Sequence, residues 1–262
     1  MRRYSRLFFR QMSVQFRVRT FNLYSAMLFF LQPAIFSGIG MVLSRVAGNA
    51  KPDLVYTVIG GGLLGMWSGL VFTSTFDVRR DRRDGTLELI VGSPTSLGVV
   101  EAIRTFANVI AGLSSMTAAL IVAIFIFDYS LNQVNILGAS VSLILLLFGM
   151  WSIGVFLANF MVWSRLSSSM VEFLEIPIPI VCGFMYPISI LPNWMQATSA
   201  IFPVRWALEA FQTALFGVQS MAVYWRPWGL TFILSLMFWE ASRRLEEKVH
   251  DRIRVTGEMS SI

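Results

Sequence analysis

Long apolar runs without charged residues are the feature that most constrains the fold of this chain. Hydrophobic residues make up 55% of its 262 residues and charged residues only 14%, whereas an average soluble domain has about 25% charged residues. Several runs exceed the roughly 18 residues that indicate a transmembrane helix. Because backbone groups in lipid must be hydrogen-bonded within the segment itself, we expect an all-α, multi-pass membrane protein.

Six transmembrane helices are predicted from these runs. They cover residues 23–43, 54–76, 105–127, 134–163, 167–191 and 224–241. Pro177, Pro179 and Pro187 interrupt the fifth helix, which is tolerated where neighbouring groups satisfy the freed backbone. The sequence therefore predicts a six-helix transmembrane domain over residues 23–241, followed by a polar tail over residues 242–262.

The positions of Lys and Arg predict how these helices are oriented. Seventeen of the 21 basic residues fall on one side of the predicted membrane, and the other side receives Arg45, Lys51, Arg205 and Arg226. Cytoplasmic loops carry the excess of Lys and Arg, so we expect both termini in the cytoplasm and the chain in the inner or plasma membrane. Topology also explains the net charge of +6, and we predict no nucleic-acid partner.

The N-terminal segment, residues 1–22, is too interrupted by charge to be a transmembrane helix. Arg6, Arg10 and Arg17 recur at helical spacing and share one face, while apolar residues cover most of the rest. A basic amphipathic helix of this kind lies in the plane of the membrane interface. We predict a cytoplasmic interfacial helix here; the alternative is a positive tail that only sets the topology.

The segment 191–217, between the fifth and sixth predicted helices, is too polar and too broken for another transmembrane helix. Pro203 divides it into two potential short helices. Its apolar content argues against full solvation, so we predict an external helical hairpin that dips into the outer leaflet and packs on protein. A plain external loop is the alternative.

A dense charge cluster, "DVRRDRRDGTLE" at residues 77–88, lies between the second and third predicted helices and is called the charged stretch below. Its central residues are Arg79, Arg80, Asp81, Arg82, Arg83, Asp84, Gly85, Thr86, Leu87 and Glu88. Acidic residues contribute little to topology, whereas alternating charges suit a short surface helix with a specific docking register. Gly85 can end such a helix because glycine accepts a left-handed backbone.

The sequence contains few of the residues that catalysis or metal binding usually needs. It contains one Cys, one His and no G-x-x-x-x-G-K-[ST] phosphate-binding loop, so we predict no catalytic residue, metal site or cofactor on this chain. Glu172 and Glu175 in the fifth predicted helix are candidates for a polar cavity or gate, since carboxylates inside membranes are functional candidates by default. Both lie close to the predicted cytoplasmic end, so they could instead reach interfacial water.

Two local patterns, in this order and topology, resemble the type-2 ATP-binding-cassette (ABC) export permeases along essentially the whole chain. The first is G-T-L-E at Gly85–Glu88 followed by Pro94. The second joins Pro187, Leu191, Pro192 and Trp194 to Pro203. Compared with the family pattern, the stretch before G-T-L-E is unusually rich in arginine.

The resemblance implies a permease subunit that exports an amphipathic, lipid-linked or drug-like substrate. Two such subunits, identical or paralogous, would pair in the membrane among lipids. Each would dock a separate cytoplasmic ABC ATPase, which would bind ATP and Mg. The segment 77–98 would be the coupling loop on that ATPase, and the external hairpin would cap the outer end.

Two functions of other classes remain open at the level of sequence. One is an integral-membrane enzyme that modifies lipids, for which only Glu172 and Glu175 could serve as acid and base. The other is a non-catalytic membrane scaffold that anchors a cytoplasmic protein through the charged stretch.

Overall fold

The computed structural model describes four segments of the chain and six further residues. The segments are 59–71, 97–127, 134–164 and 175–256, and the further residues are Leu31, Ala34, Ile35, Gly38, Gly85 and Phe173. The described residues form helices and connecting turns and contain no strand. This part of the chain is therefore all-α, as predicted. The predicted interfacial helix, residues 1–22, lies outside the described residues.

Seven α-helices are described. They are α1 (Ile59–Val71), α2 (Leu97–Phe127), α3 (Ile136–Ser164), α4 (Pro177–Cys182), α5 (Asn193–Ser199), α6 (Pro203–Leu215) and α7 (Trp225–Thr256). Single 3-10 turns at Ile188–Ile190 and Met221–Val223 precede α5 and α7.

Among the described residues, one helix is both long and apolar enough to cross a membrane. It is Ile136–Trp163 within α3, and its bounds lie within two residues of the predicted fourth transmembrane helix. The helix α1 is apolar but shorter, and it falls inside the predicted second transmembrane helix. The six-helix topology as a whole stays a prediction.

Two helices extend past the apolar runs that predicted them. Helix α2 begins at Leu97 rather than at residue 105, and α7 continues to Thr256 rather than ending at residue 241. Charged residues occupy both extensions, which a helix accommodates once it leaves hydrocarbon. The fifth predicted helix is less regular, because α4 has six residues and ends at Gly183, whose φ of 65° is left-handed.

Helix α3 is the central helix of the described structure, because α2, α6 and α7 all pack on it. Glycines of α3 lie at three of these contacts. A Cβ atom on Gly154 would lie 2.5 Å from Thr105 Cγ2 of α2, one on Gly149 would lie 3.5 Å from Pro203 Cβ of α6, and one on Gly138 would lie 3.1 Å from Tyr224 Cζ. Small residues allow this close approach, on which helix packing in membranes depends.

Asn135 fixes the start of α3 and joins it to the end of α6. Its side-chain oxygen accepts a hydrogen bond from the Gly138 backbone N–H at 3.0 Å, which caps the helix. Its side-chain amide donates to the Val218 carbonyl at 3.0 Å, and its backbone N–H donates to the Ala214 carbonyl at 2.9 Å. One asparagine thus determines both a helix boundary and a tertiary contact.

The segment after the fifth predicted helix forms two helices, α5 and α6, and Pro203 is the first residue of α6. Proline is favoured at this position because its missing N–H needs no partner there. Nine of the 13 residues of α6 are buried, because the helix packs on both α3 and α7. Helix α6 is therefore part of the core of the described structure.

A tight contact between α1 and the turn after α4 gives a test of this packing. A Cβ atom on Gly60 would lie 2.5 Å from the Phe184 carbonyl oxygen and 2.8 Å from Met185 Cα. Because both are backbone atoms, we expect Gly60→Ala to destabilise the protein by about 1–3 kcal/mol. The measurement is the temperature at which the detergent-purified protein loses its monodisperse size-exclusion peak.

The matched control is Gly229→Ala in α7, where an added Cβ atom meets nothing within 4 Å. We expect this variant to be as stable as the unmodified protein or slightly more stable, because alanine favours helix. Equal melting temperatures for the two variants would contradict the close approach of α1 to the turn.

Candidate functional site

The first turn of α2, which follows the predicted coupling loop, is held by a side chain of α7. The backbone N–H of Gly98 donates a hydrogen bond to Glu246 Oε1 at 2.9 Å. The first four N–H groups of a helix have no partner within the helix, and a carboxylate is favoured at that end by the helix dipole. Glu246 therefore caps α2 and links it to the C-terminal part of α7.

Glycine at residue 98 leaves room for this cap. A Cβ atom there would meet the Glu246 carboxylate, which would have to shift. The cap thus depends on two residues that are 148 positions apart in the chain.

One turn further along α2, Glu101 and Arg104 form an ion pair with a distance of 3.1 Å between Oε1 and Nη1. Their side chains are 2% and 14% exposed. Burying two charges is costly unless both are paired. Replacing either residue with a neutral one is therefore expected to destabilise the protein. The spacing of three residues on a helix is the signal in the sequence that predicts such a pair.

Aromatic side chains join the same end of α2 to α3 and α7. The indole N–H of Trp151 donates a hydrogen bond to the Ala102 carbonyl at 2.8 Å. The Trp151 ring also lies 5.3 Å from Phe106 of α2 and 4.7 Å from Trp239 of α7, measured between centroids. Two turns after Trp151 on α3, the Asn159 side-chain amide donates to the Ser242 hydroxyl at 2.8 Å. Ser242 lies one turn after Trp239 on α7.

These contacts bring the start of α2, the end of α3 and the C-terminal half of α7 to one end of the bundle. The Gly98–Glu246 cap, the Glu101–Arg104 pair and the Asn159–Ser242 bond are called the coupling end below. Sequence analysis had not selected any of these residues as functional. The start of α2 is thus tied to α7 through the Gly98–Glu246 hydrogen bond.

The charged stretch itself is described only at Gly85, which is exposed and has a φ of 65°. This is a left-handed conformation, which glycine adopts readily; the predicted helix before it lies outside the described residues. The other predicted coupling residues lie outside the described residues, as do Arg6, Arg10 and Arg17.

Of the two predicted gate residues, Glu175 is described and Glu172 lies outside the described residues. The Glu175 backbone carbonyl accepts a hydrogen bond from the Trp67 indole N–H of α1 at 3.2 Å, and its side chain is partly exposed. The role of the carboxylate stays a prediction.

The predicted hairpin residues occupy the starts of short elements. Pro187 precedes the 3-10 turn, Pro192 precedes α5, and Pro203 begins α6. Trp194 is 68% exposed, which suits an amphipathic ring at an interface. The depth of these residues in a membrane stays a prediction.

A polar cavity of about 300 Å³ lies between the turn after α4 and the helices α5 and α6. Its lining includes Cys182, Tyr186, Gln196, Arg205, Glu209 and Gln212. Three of these recur at spacings of four and three along α6, so they share one face. That spacing was the available signal, but in the sequence Arg205 was counted only among the basic residues of the outer side, within the predicted hairpin.

An apolar cavity of about 400 Å³ lies between α1, α2, α3 and α6. Its walls include Ile59, Met116, Leu143 and Phe211. Such a lining is suited to an apolar group. The flexible Met side chain can adapt to apolar groups of several shapes. Among the described residues, no cluster of His, Cys, Asp and Glu could hold a metal ion.

Comparison with known proteins identifies the family. The family model for the ABC-2 type transporter matches residues 2–216 of this chain. No curated protein gives a significant match. The matched region contains the charged stretch, helices α1 to α6 and both cavities, and it covers more than half of the chain. The chain is a membrane protein and belongs to the ABC-2 type transporter family.

Proposed function

We propose that this chain is the permease subunit of an exporter that moves an amphipathic, lipid-linked or drug-like substrate outward. ATP and Mg would bind to a separate cytoplasmic ATPase, because the sequence has no phosphate-binding loop. Membership of the ABC-2 type transporter family supports a transport role. The chain would provide the path for the substrate and would have no catalytic residue of its own.

The proposed assembly pairs two permease subunits, identical or paralogous, in the plasma or inner membrane. Each subunit would have six transmembrane helices, both termini in the cytoplasm and an interfacial helix at residues 1–22. The bias of 17 basic residues against four supports this orientation. The contacts that bring the start of α2 and the ends of α3 and α7 together fit helices that alternate in direction.

The observation that carries the proposal is the connection of the charged stretch to the bundle. Nine residues after its end, α2 begins, and the first turn of α2 is capped by Glu246 of α7. A push on the charged stretch by an ATPase would therefore act on two helices at once. Alternating charges in the stretch would give a docking register that is specific for a partner surface.

Reversal of two arginines tests the proposed docking. We expect Arg82→Glu combined with Arg83→Glu to insert normally, because many other cytoplasmic arginines still fix the topology. It should weaken ATPase retention or reduce transport per ATP hydrolysed, since like charges that face each other at an interface are costly. The measurements are ATPase co-purification and transport in reconstituted vesicles.

The matched control is Arg243→Glu combined with Arg244→Glu, which makes the same change of charge on the same predicted side. Both residues are exposed and pair only with Glu240 among the described contacts, and exposed pairs contribute little stability. If both double variants retain the ATPase and transport equally, the charged stretch is only a topology signal and the proposed docking is wrong.

Removal of the α2 cap tests the connection between α2 and α7. We expect Glu246→Ala to leave ATPase docking intact but to lower transport per ATP several-fold, because the start of α2 loses its charged hydrogen-bond partner. Glu247→Ala removes an exposed carboxylate next to it and should behave like the unmodified protein. Unchanged transport in Glu246→Ala would show that the cap has no part in coupling.

A further inference from the structure

Two residues that line the polar cavity carry buried hydrogen-bond donors without a partner among the described residues. Gln212 is only 6% exposed, yet its side-chain Nε2 has no hydrogen-bond partner within the described part of the chain. The Nε of Arg205, on the same face of α6, is also buried and finds no partner in segments 59–71, 97–127, 134–164 and 175–256. A buried donor without a partner costs free energy. Because both residues line this cavity, a ligand with acceptor atoms that their side chains turn to meet would relieve part of that cost.

Arg205 is held in place without using most of its donors. Its guanidinium carbon lies 4.2 Å from the centroid of the Trp206 ring, a cation–π contact that holds the group beside the ring. Its Nη1 makes one long contact of 3.5 Å to the Gln196 carbonyl. Its Nη2 makes no hydrogen bond with the described residues and can bind an oxyanion, for which the planar guanidinium is well suited.

Glu209 restricts which oxyanion fits. It lines the same cavity and is exposed, one turn after Arg205 on α6. A carboxylate at the rim would repel a ligand with several negative charges and attract an ammonium group. The arrangement suits a singly charged phosphodiester with a nearby amine, and about 300 Å³ is enough for a small polar group.

We propose that this cavity binds the zwitterionic headgroup of an amino-phospholipid, with Arg205 and Gln212 on the phosphate and Glu209 on the amine. The same chemistry could reach the site on a soluble glycerophosphodiester, and the experiment below distinguishes the two sources. The proposal goes beyond the transport function and requires only that the protein lies in a membrane.

Native mass spectrometry of the detergent-purified full chain tests the site with four probes: phosphatidylethanolamine, phosphatidylglycerol, diacylglycerol and soluble glycerophosphoethanolamine. We expect phosphatidylethanolamine to bind best, phosphatidylglycerol more weakly and diacylglycerol least. Arg205→Gln and Gln212→Leu should each weaken binding of both phospholipids about tenfold, as expected for loss of charge-assisted hydrogen bonds. Glu209→Gln should weaken only phosphatidylethanolamine.

Arg226→Gln is the matched control. Arg226 also lies over the Trp206 ring, at 5.7 Å from its centroid, but it does not line the cavity. We expect this variant to bind all four probes as the unmodified protein does. Arg205→Lys keeps the charge and should retain intermediate binding, which keeps the test valid if Arg205→Gln fails to fold.

Equal binding of diacylglycerol and the two phospholipids would overturn the proposal, because the phosphate would then not be recognised. Binding of glycerophosphoethanolamine without binding of phosphatidylethanolamine would overturn the lipid as its source. Unchanged phospholipid binding in folded Arg205→Gln and Gln212→Leu would place the lipid elsewhere on the protein.

Discussion

The close packing of other helices on α3 is the constraint on which the rest of the described structure depends. Glycines of α3 meet Thr105 of α2, Pro203 of α6 and Tyr224 before α7. In a membrane the hydrophobic effect does not drive helices together, so association depends on van der Waals contact and a few hydrogen bonds. Closely approached backbones supply that contact, and the coupling end and the apolar cavity lie between helices that contact α3.

The sequence predicted most reliably those elements whose boundaries coincide with a change in polarity. The central helix α3 is uncharged and begins directly after Asn135, a residue that caps helices well. The extensions of α2 and α7 were missed because they contain charged residues, which hydropathy excludes from a transmembrane helix. Helicity beyond the membrane depends on tertiary partners such as Glu246, and a single sequence does not reveal these.

The candidate sites also differ in whether they can be predicted from the sequence. The charged stretch is visible in sequence because its composition differs sharply from the surrounding apolar runs. The polar cavity is not, since Arg205 and Gln212 become neighbours of the turn after α4 only when α6 is packed into the core. A connection between α2 and α7 was equally invisible, because Gly98 and Glu246 are distant in the chain. Long-range contacts of this kind are determined by packing rather than by local pattern.

The size and burial of α6 have a consequence for the order in which the protein assembles. At 1.5 Å per residue its 13 residues span about 20 Å, which is shorter than the roughly 30 Å hydrocarbon core, so α6 cannot be inserted as an independent transmembrane helix. It packs on α3, made before it, and on α7, made after it. Its final packing therefore forms only after α7 has been synthesised, although α3 is already present when α6 is made.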